Sequence, residues 1–487
     1  MNKIIIADNK YCKLVTEDDK ILNLVRKFLS YRETGVEYSG AYKNGWNGIT
    51  FLMNKKGVFY LGLLDKTTQF LNENNISFTI EDKRNINPIK ESIDLSKKLN
   101  ELKLIPRDYQ ERIVNCAIKN NKGIVRACTG SGKTLCTALI TAKINKPTII
   151  YVIGLDLLQQ FHDLFSSLFD EPIGFIGNGT CKIERINIAS IWTVGRALHI
   201  NDKDLYVDED NEFKEEFNES QEEKIVKLLE QAKVHIFDES HIITCSTIQS
   251  IHKKIDPEHI YGFSGTPFRD DNTDLLIHGL LGEQIVDVSA SELINKNILA
   301  QPMIKFISVP NIPMTTAPYQ TVYKEYIVEN EIRNNLIIQQ VQGLLAKNYT
   351  PLVLFKQIRH GNTLLEKMEN AGIKCAMLYG NDSLARRNEV KDMLNKKEID
   401  VILASTIFDI GVDLPILNAL VLCGGGKSSI RALQRIGRVI RAYPGKKYAA
   451  IVDFYDQTKF LKKHSMMRYR IYCGEKGFKV IKSKEMG

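Results

Sequence analysis

The stretch RACTGSGKT, residues 126–134, decides the fold of this chain. It departs from the phosphate-loop pattern G-x-x-x-x-G-K-[ST] only at Ala127, which stands at the first glycine. Such a loop requires a strand before it and a helix after it. The β-suited run GIVRA, 123–127, precedes it, and TLCTALITAKI, 134–144, has apolar residues at helical spacing. PTIIYVIG, 147–154, reads as a buried strand, so the segment predicts one strand–loop–helix–strand unit of a parallel α/β sheet.

The residues of this loop predict a nucleotide site. Gly130 and Gly132 permit the close approach of backbone to phosphate, and Ala127 ends the strand, where glycine is not required. Lys133 would reach the β- and γ-phosphates, and the Thr134 hydroxyl would hold Mg²⁺. The other loop residues expected at the nucleotide are Thr129 and Ser131. The alternative is a glycine-rich turn between strand and helix that binds no ligand.

An acidic pair follows in KVHIFDESH, 233–241. The run VHIF predicts a buried strand, which places Asp238 and Glu239 at its carboxyl end, where ligands gather in parallel α/β sheets. Asp238 is expected to bind Mg²⁺ through water, and Glu239 to orient and deprotonate an attacking water. An acidic pair after a strand is usually just exposed, but its combination with the loop favours ATP and Mg²⁺ as ligands.

Length and composition describe an ordinary globular protein. The 487 residues suggest about three domains, and the 44% hydrophobic and 25% charged fractions are unexceptional. The nine cysteines form no C-x-x-C pair, which argues against zinc or iron–sulfur clusters and for a reducing, cytoplasmic setting. The N-terminus MNKIIIADNKYCKLV lacks a signal-peptide core, and no apolar run approaches the ~20 residues of a membrane span. The net charge of +8 only weakly indicates a polyanionic partner.

DESH resembles the D-E-x-H box of superfamily 2 helicases and translocases, and other motifs of that family occur in order over roughly residues 100–460. RDYQ, 107–110, resembles the adenine-recognition motif, and GFSGTPFR, 262–269, the S-x-T-P-x-R coupling motif. IASIWTV, 188–194, resembles a DNA-strand motif, whereas VIGLDLLQQF, 152–161, departs from V-P-T-x-x-L-x-x-Q by an isoleucine and a glycine. The resemblance implies nucleotide binding by Arg107 and Gln110, phosphate contact by Ser190 and Thr193, and coupling by His241, Ser264, Thr266 and Arg269.

A second α/β unit is predicted downstream. The segment PLVLFKQIRHGNTLLEKM, 351–368, reads as a strand, a turn and a helix. The segment KCAMLYGND, 374–382, reads as a strand followed by a loop, and Arg386 and Arg387 then begin a helix. DVILASTIFDIGVDLP, 400–415, resembles motif V of the family, and LQRIGRVIRAYPGK, 433–446, resembles Q-R-x-G-R-x-x-R. Residues carried over from these motifs are Ser405, Thr406, Gly411, Asp413, Gln434, Arg435, Arg438 and Arg441.

The resemblance implies an α/β fold of two tandem RecA-like parallel-sheet lobes with ATP and Mg²⁺ between them. Arg438 and Arg441 would be arginine fingers supported by Arg435, and Gly411 and Asp413 would lie at the nucleotide. Charge that develops on the γ-phosphate explains why a second lobe should bring arginines. Hydrolysis would remove that attraction, open the lobes and move the protein along nucleic acid.

Residues 1–95 predict a small α+β domain ahead of the motor. EYSGAYKNGWNGITFL, 37–52, and MNKKGVFYLGLL, 53–64, predict two strands joined around Asn54–Gly57, with helices near 18–31 and 66–74. Exposed side chains suited to nucleic acid would be Lys43, Trp46, Lys55 and Lys56. A basic hairpin with a core tryptophan is an equal alternative. The layout Y-x-x-G-x-W-x-G resembles the N-terminal domain of the phage branched-DNA helicases of the UvsW type, which implies duplex binding beside a fork or Holliday junction.

The expected domains are 1–95, a first lobe over 96–300, a second lobe over 301–460 and a basic tail over 461–487. The acidic insertion 201–226 predicts a solvated loop that points away from the DNA path. The tail, in which basic and aromatic residues alternate, predicts either a nucleic-acid contact or a solvated helix and hairpin.

These features predict an ATP-dependent DNA helicase or branch-migrating translocase with DNA as its partner and no membrane association. An RNA helicase of the same superfamily is one alternative, although the box is DESH rather than D-E-A-D. The motor subunit of a restriction or repair complex is another, although no nuclease signature stands out. A nucleic-acid-binding protein with an inactive nucleotide site is disfavoured by the intact Lys133, Asp238 and Glu239.

Overall fold

The computed structural model describes residues 2–32, 45–84, 91–200, 219–240, 245–265, 274–310, 317–379, 382–405, 414, 416–426, 429–441 and 443–481. They group into two compact units. The first contains the described residues within 2–127 and 132–287, and the second contains 128–131 and those from 288 onward. Across these described ranges, no helix is long and apolar enough to cross a bilayer.

The first unit opens with an α+β domain. Its elements are β1 (Asn2–Ile6), β2 (Tyr11–Val15), α1 (Asp19–Phe28), β3 (Ser30–Arg32), β4 (Ile49–Phe51), β5 (Val58–Tyr60), α2 (Leu64–Glu73) and β6 (Phe78–Asp82). The order β5-β2-β1-β6 combines antiparallel pairs with a parallel β1–β6 edge. Alternation in β2 buries Cys12 and Leu14 and exposes Lys13, as expected for a sheet with one face on a core. The small α+β domain is therefore confirmed.

The two strands predicted around Asn54–Gly57 are present, but they are not a hairpin pair. The Asn54 side chain accepts hydrogen bonds from the backbone N–H groups of Lys56 and Val58, at 2.9 and 3.0 Å, which forms the turn. Beyond it, β4 pairs with β3, and β5 pairs with β2. A single bridge between Met53 and Phe59 joins the two sides of the turn. Partners distant in sequence thus satisfy these strands.

The rest of the first unit is a parallel α/β lobe. Its elements are α3 (Ser96–Glu101), α4 (Asp108–Asn120), β7 (Lys122–Ala127), α5 (Lys133–Ile144), β8 (Thr148–Val152), α6 (Leu155–Leu168), β9 (Ile173–Gly177), β10 (Thr180–Lys182), β11 (Ile186–Ser190), α7 (Ile191–Ala197), α8 (Glu219–Gln231), β12 (Val234–Phe237), α9 (Cys245–Lys254), β13 (His259–Ser264), α10 (Asp274–Leu281) and β14 (Gln284–Val288). The sheet order is β10-β9-β11-β8-β12-β13-β7-β14. The central pairs are parallel, and β8, β11, β12 and β13 are buried along their whole length. Helices on both faces explain these continuous apolar strands.

The N-terminal domain packs closely against this lobe. A Cβ atom added at Gly62 would lie 2.1 Å from the carbonyl oxygen of His278 and 2.6 Å from that of Gly279. Gln249 donates a hydrogen bond of 2.9 Å to the Tyr60 hydroxyl. The ring edge of His252 meets Tyr60 at a centroid distance of 5.5 Å. Domain and lobe are therefore one packed body, with Gly62 at a close contact between them.

The second unit is a parallel α/β lobe as well. Its elements are α11 (Ala290–Asn295), β15 (Gln301–Ser308), α12 (Tyr319–Tyr323), a π-helical turn (Lys324–Val328), α13 (Glu331–Leu345), β16 (Pro351–Leu354), α14 (Ile358–Asn370), β17 (Cys375–Leu378), α15 (Leu384–Asn395), β18 (Val401–Ala404), β19 (Ala419–Leu422), α16 (Ser429–Val439), β20 (Tyr448–Tyr455), α17 (Lys459–Gly474) and β21 (Lys479–Ile481). The order β17-β18-β16-β19-β20-β15-β21 is parallel at every pair. The predicted fold of two RecA-like lobes behind a small α+β domain is confirmed.

Two local predictions are wrong. In the C-terminal segment the expected helix is present as α17, but the strand after it, β21, pairs in parallel with β15 rather than forming a hairpin. The α17 helix buries Leu461, Ser465, Arg468 and Tyr472, so packing against the sheet replaces the expected solvated tail. The predicted acidic loop 201–226 is helical from Glu219, where α8 begins and buries Ile225. Its residues 201–218 lie outside the described residues.

Candidate active site

The phosphate loop joins β7 to α5 as the sequence predicts. Ala127 is buried at the end of the strand, where a side chain packs into the core. Gly130 and Gly132 have φ values of +86° and +78°, which L side chains rarely adopt. The Gly132 carbonyl accepts from the backbone N–H groups of Leu135 and Cys136 and so begins the helix. The N-terminus of α5 carries partial positive charge and is a suitable anion site.

Gln110 lies directly against this loop. Its Oε1 accepts a 2.9 Å hydrogen bond from the backbone N–H of Arg107, which begins α4, and Arg107 Nη1 donates to the Tyr109 hydroxyl at 3.1 Å. A Cβ atom at Gly132 would lie 2.4 Å from Gln110 Nε2. The predicted base-recognition residues and the predicted phosphate loop are therefore neighbours in space, and a side chain at position 132 would displace Gln110.

The acidic pair stands at the carboxyl end of β12. The Asp238 backbone N–H donates to the Tyr151 carbonyl at 2.9 Å, and only 4% of the residue is exposed. Glu239 has a φ of +49°, and its Oε1 accepts from the Lys133 ammonium. Folding thus joins the predicted lysine of the phosphate loop to the predicted catalytic carboxylate.

The environment of Asp238 fits a cation. Burial raises the pKa of the Asp238 carboxyl to about 7, the Lys133 charge opposes this rise, and the Glu239 charge adds to it. A divalent cation beside the carboxyl would favour its ionised form. Carboxylate and hydroxyl oxygens are ligands that Mg²⁺ prefers. Asp238 and Thr134 are therefore chemically suited to hold Mg²⁺, as predicted.

Ser240 is a site residue that the sequence analysis missed. Its backbone N–H donates to the Phe263 carbonyl at 2.9 Å, and its side chain is buried. Phe263 immediately precedes Ser264, at the end of β13. The acidic pair and the predicted coupling motif are therefore joined by one backbone hydrogen bond. This contact depends on the parallel pairing of β12 with β13, which was not predicted from the sequence.

Other predicted residues lie at strand ends and are largely buried. Ser190 ends β11, and Thr193 lies in the first turn of α7 with 1% of its surface exposed. Ser264 and Ser405 are also buried, and the Ser405 backbone N–H donates to the Leu378 carbonyl at 3.0 Å. Their roles toward nucleic acid stay predictions.

The predicted arginine fingers lie on and just after α16. Arg435 and Arg438 belong to the helix, and both are half-buried. Arg441 follows it and forms an antiparallel bridge with Leu299, while the Ala300 N–H donates to the Ile440 carbonyl at 2.8 Å. These contacts fix the chain after the helix within the second unit. The structure does not describe the side chain of Gln434. Six further predicted residues lie outside the described residues: His241, Thr266, Arg269, Thr406, Gly411 and Asp413.

Two family models match the chain. The type III restriction enzyme res subunit model matches residues 103–269, and the helicase conserved C-terminal domain model matches residues 334–443. The first match contains the phosphate loop and the acidic pair, and the second contains α16. Together the two models match more than half of the chain.

Two viral relatives extend this result. Putative helicase 22 of Sulfolobus islandicus filamentous virus is 25% identical over 382 residues, which are 73% of this chain and 65% of that protein. The chain thus spans just under two thirds of that relative. The ATP-dependent DNA helicase uvsW of Enterobacteria phage T4 is 24% identical over 519 aligned positions, which cover 99% of both proteins.

A solved structure supports the two-lobed fold. The Saccharomyces cerevisiae protein Dbp5, solved with RNA and ADP BeF3, aligns with a TM-score of 0.53 and 14% identity over 80% of this chain and 93% of that chain. At this identity, the similarity concerns the fold alone. With the phage relative of full length and the two family models over residues 103–269 and 334–443, the chain belongs to the superfamily 2 helicases and resembles the phage helicases of the UvsW type.

Proposed function

We propose that this protein is an ATP-dependent DNA helicase or translocase that unwinds or branch-migrates forked and junction DNA in replication, recombination or repair. The observation that carries this proposal is the ion pair of Lys133 with Glu239 beside the buried Asp238. These groups would hold phosphate, cation and water in one place, which hydrolysis of ATP requires. The choice of DNA rests on the phage relative that aligns over the whole chain.

Three residues of the first unit would divide the chemistry. Lys133 would leave Glu239 for the β- and γ-phosphates when ATP binds, because phosphate offers more negative charge. Glu239, released from the lysine, would then orient the attacking water and accept its proton. Asp238 and Thr134 would hold Mg²⁺, which when bound would supply positive charge against the phosphates. The Lys133–Glu239 ion pair is therefore the arrangement of the nucleotide-free site. Binding of ATP would replace it with the catalytic arrangement, in which Lys133 contacts phosphate and Glu239 contacts water.

The remaining roles follow the family motifs. Arg107 and Gln110 would recognise the base, and Arg438 and Arg441 would stabilise charge that develops on the γ-phosphate, with Arg435 in support. The Ser240–Phe263 hydrogen bond gives hydrolysis a mechanical route to the Ser264 segment, because a shift of the acidic pair would move that carbonyl.

The N-terminal domain would contact duplex DNA near the turn at Asn54–Gly57. Lys55 and Lys56 are exposed there. Trp46 is half-buried, and its Nε1 donates to the Ile49 carbonyl at 3.2 Å, so it braces the segment rather than standing free for stacking. Lys43 lies outside the described residues. We place the protein in the cytoplasm, of the host if it is a phage protein.

One experiment tests the proposal. ATP hydrolysis and strand separation are measured with single-stranded DNA, duplex, fork, Holliday junction and RNA as cofactors. The expected result is ATPase stimulation by DNA, with unwinding fastest on the fork or junction. Stimulation by RNA alone would support an RNA helicase instead. Hydrolysis that no nucleic acid stimulates would overturn the proposal.

A further inference from the structure

The loop that leads into α16 is held by side chains from three separate helices. This loop, Cys423–Gly426, follows the buried strand β19 and ends three residues before α16 begins. The Cys423 carbonyl accepts from Arg333 Nη1 at 2.9 Å. The Gly424 carbonyl accepts from the Tyr323 hydroxyl at 2.8 Å. The Gly426 carbonyl accepts from Arg468 Nη1 at 2.8 Å. Three carbonyls within four residues thus receive donors from α13, α12 and α17.

Both arginines are themselves anchored on buried carboxylates at the end of β20. Arg333 Nε donates to Asp456 Oδ1 at 2.8 Å, and Arg468 Nε donates to Asp453 Oδ2 at 2.8 Å. The Tyr472 hydroxyl donates to the same Asp453 oxygen at 3.0 Å. All five residues are at least nine-tenths buried. Each guanidinium keeps its geometry because breaking its ion pair would leave an unpaired charge in the protein interior, which is strongly destabilising. The donors that reach the loop are therefore rigidly held.

The same network borders α16, the helix that carries Arg435 and Arg438. Arg468 and Tyr472 lie on α17, and α17 packs on α16. The network therefore supports this helix as well as the loop ahead of it.

We propose that Tyr323, Arg333 and Arg468 are positioning residues for catalysis, which set the start of α16 and thereby the placement of Arg438 and Arg441. The proposal rests on the function proposed above, in which those arginines act on the γ-phosphate. A group that acts only in the transition state changes kcat more than it changes ground-state binding. A displaced α16 should therefore slow turnover and leave nucleotide affinity largely intact.

Tyr323→Phe is the decisive variant, because it removes a single hydroxyl and leaves the aromatic ring in place. Nucleic-acid-stimulated kcat is expected to fall about threefold to tenfold, as the loss of one buried hydrogen bond implies, with the KM for ATP within about twofold. Tyr472→Phe is the matched control. It also removes one buried hydroxyl, but Asp453 keeps its bond from Arg468 and no loop carbonyl loses a donor, so kcat should stay within about twofold.

Folding and turnover are separated by measuring the Tm of each variant and normalising kcat to active sites titrated with a tight-binding nucleotide. A purely structural role predicts that activity falls only as much as the amount of folded protein, so kcat per active site in Tyr323→Phe would equal the wild-type value and would overturn the proposal. Equal losses of kcat per active site in both variants would also overturn it. The proposed function is tested separately, on the wild-type protein. If no nucleic acid stimulates ATP hydrolysis by the wild-type protein, the proposed function fails before any variant is compared.

Discussion

Glu239 and Lys133 hold each other in place at the phosphate loop, so each can be tested by its effect on the other. In Glu239→Gln, the amide cannot accept a proton from water, and ATP turnover should fall by at least about a hundredfold. ATP affinity should be kept or increased, since Lys133 is then held less strongly by its neighbour. Single-turnover hydrolysis and nucleotide titration measure the two effects. Substantial hydrolysis by this variant would contradict the role of Glu239.

Gly132 is a second residue whose role depends on geometry. Its φ of +78° is one that L side chains rarely adopt, and an added Cβ atom would lie 2.4 Å from Gln110 Nε2, so the Gln110 side chain would have to move. Gly132→Ala should therefore weaken nucleotide binding by about tenfold or more, through strain in the loop and displacement of Gln110. Isothermal titration with a non-hydrolysable ATP analogue measures this loss. The control is Gly343→Ala, on an exposed helix surface where an added Cβ atom would have nothing within 4 Å, and it should keep wild-type affinity. Wild-type affinity in Gly132→Ala would contradict the role assigned to this glycine.

At the scale of elements, the contact between the N-terminal domain and α9 should respond to acid. Burial lowers the pKa of His252 to about 3, and the charges of Lys122, Lys10 and His235 act in the same direction. The rings of Tyr11 and Tyr60 also face this imidazole. Because the folded pKa lies below the unfolded value of about 6.5, the stabilisation is complete above pH 6.5 and is lost as pH falls toward 3.

His252→Phe should therefore reduce the slope of stability against pH below 6.5, by up to about 1.4 kcal/mol per pH unit. Urea unfolding at several pH values between 6.5 and 5 measures the slope. The control Tyr60→Phe removes the hydrogen bond from Gln249 and leaves the imidazole in place, so its effect should be the same at each pH. An unchanged slope in His252→Phe would show that this histidine does not carry the acid response.

The same contact gives a steric prediction at Gly62. An added methyl group would meet two carbonyl oxygens of α10 at 2.1 and 2.6 Å, and backbone atoms cannot move aside as a side chain can. Gly62→Ala should destabilise the first unit by about 2 kcal/mol or more. Limited proteolysis and urea unfolding would show this loss, whereas Gly343→Ala should be neutral or slightly stabilising. Equal stability of the two variants would mean that domain and lobe are packed less closely than the distances indicate.

At the scale of the whole molecule, the packing of residues 1–95 on the first lobe changes how DNA loading can be tested. Deletion of the domain would uncover groups of the lobe that now lie against it, such as His252, so lost activity could reflect misfolding. Reversal of surface charge avoids this problem. Lys55→Glu with Lys56→Glu should weaken binding to a DNA fork and reduce its salt dependence, while ATPase stimulation by single strands is kept.

The matched control is Lys396→Glu with Lys397→Glu, an exposed neighbouring pair in the second unit that produces the same change in net charge. Fork affinity measured by fluorescence anisotropy at several salt concentrations distinguishes the two pairs. Equal loss of affinity in both would indicate a general charge effect and would contradict a DNA surface at the Asn54–Gly57 turn.

The sequence by itself determined the lobes and the chemistry of the site. The phosphate loop, the acidic pair and the arginine helix are local patterns whose residue types meet fixed needs for φ, charge and hydrogen bonding. The continuous apolar strands around them predict a parallel sheet, because such strands are buried on both faces. Even Ala127, which departs from the loop pattern, is readable as the buried end of a strand.

Only the tertiary structure decided the contacts between segments distant in the chain. The Lys133–Glu239 ion pair, the Ser240–Phe263 hydrogen bond and the glycine at position 62 depend on which strands become neighbours. The same holds for β21, whose parallel partner β15 lies far upstream in the chain. Pairing of this kind is set by the free energy of the whole packed sheet, to which no short stretch of sequence contributes enough to specify its own partner.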